Sequence, residues 1–80
     1  MTDAELADLV TKALFSVAPD LEGETIDPDK PFRGQFEIDS MDFLNFVIAL
    51  HEAVGIEIPE KEYPKVQSLA GTVAYLREHL

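Results

Sequence analysis

Ile38-Asp39-Ser40-Met41-Asp42, running into Phe43-Leu44-Asn45-Phe46-Val47-Ile48-Ala49-Leu50-His51-Glu52-Ala53-Val54, is the stretch around which the rest of the chain is arranged. Asp39 suits a helix N-cap, because its carboxylate can accept from backbone N–H groups of the first turn. Ser40 then takes the first helical position, with its hydroxyl at the exposed, electropositive end of the helix dipole. Phe43 to Leu50 is the most apolar run in the chain, and Gly55 supplies a left-handed stop after Val54.

At about 100° per residue this helix has two apolar faces. Phe43, Phe46, Val47, Leu50 and Val54 share one side, the stripe expected against a core. Met41, Leu44 and Ile48 form a second strip beside it, which also carries His51. Only Asp42, Asn45, Ala49 and Glu52 make a narrow polar ridge. With 80 residues in all, too few other elements remain to cover both apolar faces. The second strip is therefore expected to be at least partly exposed and to meet a partner.

The whole composition sets bounds on class. Eighty residues, 46% of them apolar, make one small domain spanning residues 1–80 with an adequate core. Six basic residues against sixteen acidic ones give a net charge of −10. That balance opposes binding to nucleic acid or to an anionic membrane, both of which reward clustered Lys and Arg. It favours docking onto basic surfaces, and it also keeps a small protein in solution. No cysteine is present, so there is no disulfide, thiolate nucleophile or Cys-based zinc site. The acidic start Met1-Thr2-Asp3-Ala4-Glu5 lacks the positive end and apolar run of a secretory signal. No stretch approaches the ~20 apolar residues of a membrane-spanning helix. A cytoplasmic protein without membrane insertion is expected.

Around the central helix, Thr2 and Glu5 form a capping box that opens a first helix. Its apolar positions are Leu6, Leu9, Val10, Ala13, Leu14 and Val17, and Pro19 stops it near Val17 or Ala18. Residues 19–38 make a long connection with Leu21, Ile26, Phe32 and Phe36 as anchors to the core and room for a short helical turn. Asp27-Pro28-Asp29 resembles the opening of a calcium loop, but Pro31 stands where the third ligand belongs and the glycine is misplaced, so no metal site is expected. Ile56-Glu57-Ile58-Pro59 alternates like a strand but has no partner segment, and reads as an extended connector. Glu60 to Lys65 suits one short helical turn with Tyr63 inward and Pro64 limiting its length. Ser68 caps a last helix with Leu69, Val73 and Leu76 on its inner face, Leu80 a candidate to extend it, and Gly71 a weak point. The expected fold is all-α: a small antiparallel four-helix bundle, three main helices plus one short one, with a long first loop. The helix from Ser40 is taken as central, with the last helix packed on the first.

No catalytic constellation is evident. His51 and His79 are far apart in sequence, neither has a second ligand nearby, and His79 in a final turn is favourable as a cation without any function. Ser40 has no base within reach to make it a nucleophile. Its hydroxyl can be acted on by another enzyme, and a phosphate placed there would meet free N–H groups and the positive dipole end.

These residues resemble the acyl carrier protein family. The resemblance lies in Asp39-Ser40-Met41-Asp42, Val47-Ile48-Ala49-Leu50, Gly55-Ile56-Glu57-Ile58-Pro59 and Ser68-Leu69, covering the chain from about Phe36 to its end. Asp-Ser-Met alone is a weak signal; with Gly-Ile-Glu-Ile-Pro at this distance it is a strong one. The resemblance implies a 4′-phosphopantetheine arm on Ser40, beside Asp39, installed from coenzyme A by a phosphopantetheinyl transferase. Acyl groups would ride on the arm's thiol as thioesters, so a carrier needs no cysteine. It further implies a monomeric, non-catalytic protein served by acyl-loading and acyl-processing enzymes with basic docking patches. Matched onto this sequence, the docking positions are Met41, Leu44, Asn45, Ile48, His51 and Glu52, which lie on and beside the second strip.

Two departures stand out. Glu37 occupies a place that is often glycine in the family, and Asn45, His51 and Ala53 occupy places that are commonly acidic in fatty-acid carriers. A specialised carrier for fatty acid, lipid or polyketide-type biosynthesis is the expectation that follows. His51 would add a pH-sensitive element to the docking face, beside the simpler reading of a solvated surface residue. The alternatives are a discrete D-alanyl-type aminoacyl carrier and an unmodified helical adaptor that holds a partner helix on Leu44 and Ile48.

Overall fold

The computed structural model describes all residues from Met1 to Leu80, and its regular elements are all helical. Helices α1 (Asp3–Val17), α2 (Phe32–Gln35), α3 (Ser40–Val54) and α4 (Leu69–His79) are joined by 3₁₀ turns at Pro19–Leu21 and Glu60–Val66. Three main helices of 15, 15 and 11 residues with the shorter Glu60–Val66 helix make the expected bundle. The single-turn α2 lies inside the long first connection.

Local chemistry sets each boundary. Thr2 Oγ1 accepts from the Glu5 N–H at 3.1 Å and Glu5 Oε1 accepts from the Thr2 N–H at 2.9 Å. These bonds hold the Glu5 carboxyl below its ordinary value, with the Thr2 backbone donor the largest cause. The helix ends at Val17, one residue before Ala18, whose N–H still donates to Leu14 at 3.0 Å. At the other end of α3, Gly55 adopts φ 73°, the left-handed conformation that glycine reaches without a Cβ penalty.

The core runs through every element. Leu6, Val10 and Leu14 of α1 meet Phe43, Phe46, Val47 and Leu50 of α3, with Val73 and Leu76 of α4 on the other side. Phe32 in the first connection sets its ring edge against Phe46, centroids 5.2 Å apart, and Phe43 meets Tyr63 in the same way at 5.6 Å. Helix α1 packs closely on both α3 and α4, so the first helix, rather than the one from Ser40, is their shared partner. Arg77 in the last turn of α4 donates to both carboxylate oxygens of Asp3 in the first turn of α1, at 3.0 and 2.8 Å, which places these two helices antiparallel.

The connections carry more structure than their composition suggests. Gln35 is a clamp: its Oε1 accepts from the Asp27 N–H, and its Nε2 donates to the carbonyls of Asp27 and Lys30, all at 2.9 Å. The Asp27 carboxylate accepts from the Asp29 N–H at 3.0 Å, an Asx turn. Two backbone bonds sew the loop to the far end of the chain, Phe32 N–H to Gln67 O at 2.7 Å and Ala70 N–H to Pro28 O at 2.9 Å. Of the expected anchors, Phe32 is fully buried, and Leu21, Ile26 and Phe36 pack partly buried against the core.

Some expectations need correction. The helix expected over Glu60 to Lys65 runs seven residues to Val66, past Pro64. Its 3₁₀ form suits a short piece of this kind, and Val66 at its end is fully buried. Glu62 and Lys65 pair at 2.8 Å, which lowers the Glu62 carboxyl and raises the Lys65 ammonium from their ordinary values. In α4 the inner face includes Thr72 and Tyr75 beside Val73 and Leu76, while Leu80 is exposed. Thr72 is buried without cost to polarity, because its hydroxyl donates to Ser68 O at 2.6 Å.

Gly71 also changes meaning. A Cβ there would stand 2.8 Å from the Lys65 carbonyl oxygen, a backbone atom that cannot swing aside. The residue that weakens an isolated helix thus permits the close approach of the 3₁₀ segment to α4. Gly71→Ala should lower stability by about 1–3 kcal/mol in urea denaturation, as overpacking does. A gain of the ~1 kcal/mol that alanine brings to an open helix would contradict the contact. Phe46, 1% exposed and set against two aromatic rings, should cost about 3–5 kcal/mol as Phe46→Ala. A loss below ~1 kcal/mol would mean that the faces of α3 are wrongly phased.

Candidate functional site

Two reciprocal bonds define where α3 begins. Asp39 Oδ1 accepts from the Asp42 N–H at 2.8 Å, and Asp42 Oδ2 accepts, weakly, from the Asp39 N–H at 3.4 Å. This is a capping box with aspartate in place of the usual glutamate or glutamine at the third position. Ser40 is the first residue of the helix and is exposed. The N–H groups of Ser40 and Met41 fall in the turn that no helical carbonyl can satisfy, and the cap spends its carboxylate on Asp42 instead. A hydroxyl beside free donors and the positive dipole end suits a covalently attached anion.

Ser40 opens onto a groove of about 400 Å³ lined by Arg33, Phe43, Leu44, Glu60, Tyr63 and Gln67. Its walls thus come from α2, α3 and the 3₁₀ helix, so the long first connection contributes directly to the site. A second groove of about 540 Å³ continues along α3 between Val47, Ile48 and His51 on one side and Ile58, Pro59 and Tyr63 on the other. Tyr63 lines both. The largest recess, about 670 Å³, lies elsewhere, between α1 and α3 at Leu9, Ala13, Ala49 and Ala53.

The second apolar strip is open to solvent. Met41 is 63% exposed, Leu44 39% and Ile48 46%, while Phe43, Phe46, Val47 and Leu50 on the neighbouring face are buried. Asn45 and Glu52 are exposed beside the strip, and Ala49 of the supposed polar ridge is half-buried against the core. His51 is exposed, but one edge of its ring is committed: Nδ1 lies 3.0 Å from the Ile56 carbonyl oxygen. A carbonyl only accepts, so Nδ1 donates, and the ring ties the end of α3 to the connector that follows.

Sequence reasoning gave Asp39 as the helix cap, Ser40 as the first helical residue and the second strip as exposed, as they stand in the structure. It missed Arg33, Glu60 and Gln67 as neighbours of Ser40, and it missed the reciprocal role of Asp42. One signal was present for Arg33, the sole Lys or Arg between Lys30 and Lys61. The two histidines stay apart in role: His79 stacks on Tyr75, centroids 4.1 Å apart, and bonds to that residue's carbonyl at 2.8 Å. No group of three His, Cys, Asp or Glu side chains is arranged to hold a metal ion, and no helix is long and apolar enough to cross a membrane.

Comparison with known proteins agrees with this geometry. Residues 10–76 match the family model described as a phosphopantetheine attachment site. The chain is 30% identical over 83 residues to an acyl carrier protein of Lactobacillus johnsonii, covering 99% of this chain and 98% of that protein. It is 37% identical over 54 residues to an acyl carrier protein of Rubrobacter xylanophilus, 68% of this chain and 67% of that protein. It is also 33% identical over 78 residues to a mitochondrial acyl carrier protein of Dictyostelium discoideum; that match takes in 98% of this chain but only 63% of the longer relative. With residues 10–76 inside a phosphopantetheine-attachment family and a relative 30% identical over nearly the full length of both proteins, the chain belongs to the acyl carrier proteins.

Proposed function

We propose that Ser40 carries the 4′-phosphopantetheine arm of this carrier, and that residues 1–80 act as one carrier domain without chemistry of their own. The observation behind this is the exposed Ser40 hydroxyl at the capped start of α3, next to a groove that Phe43, Leu44 and Tyr63 line together with Arg33, Glu60 and Gln67. When attached, the arm supplies a terminal thiol on which acyl groups are held as thioesters. The residues of the chain do the rest. Asp39 and Asp42 hold the helix start in place, and Phe43, Tyr63 and Val47 offer an apolar track along which a bound chain can lie. Met41, Leu44 and Ile48 give partner enzymes an apolar contact, with Asn45, His51 and Glu52 around it.

This docking face is less acidic than the total charge of −10 suggests. Asn45, His51 and Ala53 supply no negative charge, so steering by a basic partner patch is weaker here than elsewhere on the surface. We take this as support for a specialised carrier serving a cytoplasmic pathway of fatty acid, lipid or polyketide type, modified by a transferase and working as a monomer.

Incubation with coenzyme A and a broad-specificity phosphopantetheinyl transferase should raise the intact mass by one arm in the wild type and not in Ser40→Ala. A gain by the alanine variant would move the site to another hydroxyl, and no gain in either protein with several transferases would favour an unmodified adaptor. The acylated protein should then be a poorer substrate for a housekeeping ketosynthase than a standard carrier is. Equal processing of the two would remove the case for a specialised role.

A further inference from the structure

Arg33 has no partner in the chain. Four of the six basic side chains form ion pairs, Lys12 with Asp8, Lys30 with Asp27, Lys65 with Glu62 and Arg77 with Asp3. Of the two left over, Arg33 and Lys61, only Arg33 lines the groove that opens beside Ser40. In a chain with sixteen carboxylates, an arginine at a groove mouth without a carboxylate partner has a reason to be sought.

Its backbone is firmly held. The preceding Phe32 is 1% exposed and its N–H donates to Gln67 O at 2.7 Å. Two residues on, Gln35 clamps the loop through three bonds. The side chain is thus aimed from a fixed base, which lowers the entropy lost on engaging a ligand.

The surroundings are otherwise negative or neutral. Glu60 faces the same groove, Asp39 and Asp42 stand at the helix start, and the Gln67 amide nitrogen already donates to Tyr63 O at 3.0 Å. An anion bonded to Ser40 therefore enters a neighbourhood with three carboxylates and one lining cation. A guanidinium presents paired donors whose fork fits two oxygens of a phosphate group.

We propose that Arg33 is the counter-ion of the arm's phosphodiester, biasing the arm to lie in the Phe43–Tyr63 groove rather than swing free. This rests on attachment of the arm at Ser40. It assigns to the loop a positioning role. A partner enzyme that draws the arm out must break the pairing, so Arg33 tunes how readily the cargo is surrendered. The expected bias is about two- to fivefold toward the groove, the size of an exposed ion pair.

The test uses the full chain carrying its arm, with the modification first verified by intact mass. Phosphorus NMR is recorded on wild type, Arg33→Ala and Arg33→Lys, at low salt and at ~1 M, where the Debye length falls to about 3 Å. At low salt the wild-type resonance should differ from that of Arg33→Ala, with Arg33→Lys between them, and all three should converge at high salt. The Arg33 Nε–H signal should move between the unmodified and the modified wild type. Identical phosphorus resonances at low salt together with an unmoved Nε–H signal would overturn the pairing while leaving the carrier reading intact. Absence of the arm from Ser40 in the mass measurement would overturn both.

Discussion

The bond from the Asp42 N–H to the Asp39 carboxylate fixes the residue at which α3 starts, and the use of this fold depends on that choice. Each residue advances the helix by about 100°. Starting at Ser40 places the hydroxyl in the unsatisfied first turn and Phe43, three residues on, in the core. A cap of this kind contributes about 0.5–2 kcal/mol, whereas burying a ring such as Phe46 is worth more, about 3–5 kcal/mol on truncation. The aromatic face therefore decides which side of α3 is inside, and the cap decides that the helix begins at Ser40. The two agree, which is why an exposed serine can sit at the edge of the core without loosening it.

The second constraint is the seam between the first connection and the segment from Glu60 to Gly71. Phe32 is held to Gln67 and Pro28 to Ala70 by backbone bonds, and Gly71 lets the Lys65 carbonyl approach α4 closely. Together they place Arg33, Glu60, Tyr63 and Gln67 beside Ser40. The groove is thus assembled from residues far apart in sequence, and only α3 is common to the groove and the exposed strip. The exposed Met41, Leu44 and Ile48 stand on the same helix as Ser40, so under the proposed function recognition and delivery share one rigid element.

Much of this was legible because it is local. Capping residues, the stripe of Phe43, Phe46, Val47 and Leu50, the glycine stop at Gly55 and the Pro19 break act within a few positions of themselves, and their spacing carries the information. The exposed strip was legible for a different reason, since a helix with two apolar faces in so short a chain leaves one without cover. What pattern could not show depends on contacts between distant segments. The Gln35 clamp is a side chain reaching back eight residues, which no periodicity marks. Gly71 reads as a helix weakness until the Lys65 carbonyl is placed 2.8 Å from where its Cβ would be. Thr72 and Tyr75 lie on the inner face beside Val73 and Leu76, and Thr72 can do so because its hydroxyl finds a local carbonyl, which an apolar stripe does not mark. Arg33 joined the site only once the loop was folded back.

Amide hydrogen exchange of the unmodified protein, resolved residue by residue at the start of α3, tests the central claim most directly. The Asp42 and Phe43 amides, bonded to the Asp39 side chain and carbonyl, should exchange slowly, and the amides of Ser40 and Met41 should exchange fast, as donors of a first helical turn that the cap leaves free do. Protection at Ser40 and Met41 equal to that at Asp42 would mean that the helix begins earlier. The serine would then not stand at an open helix start, and the account of how this chain presents its hydroxyl would fail.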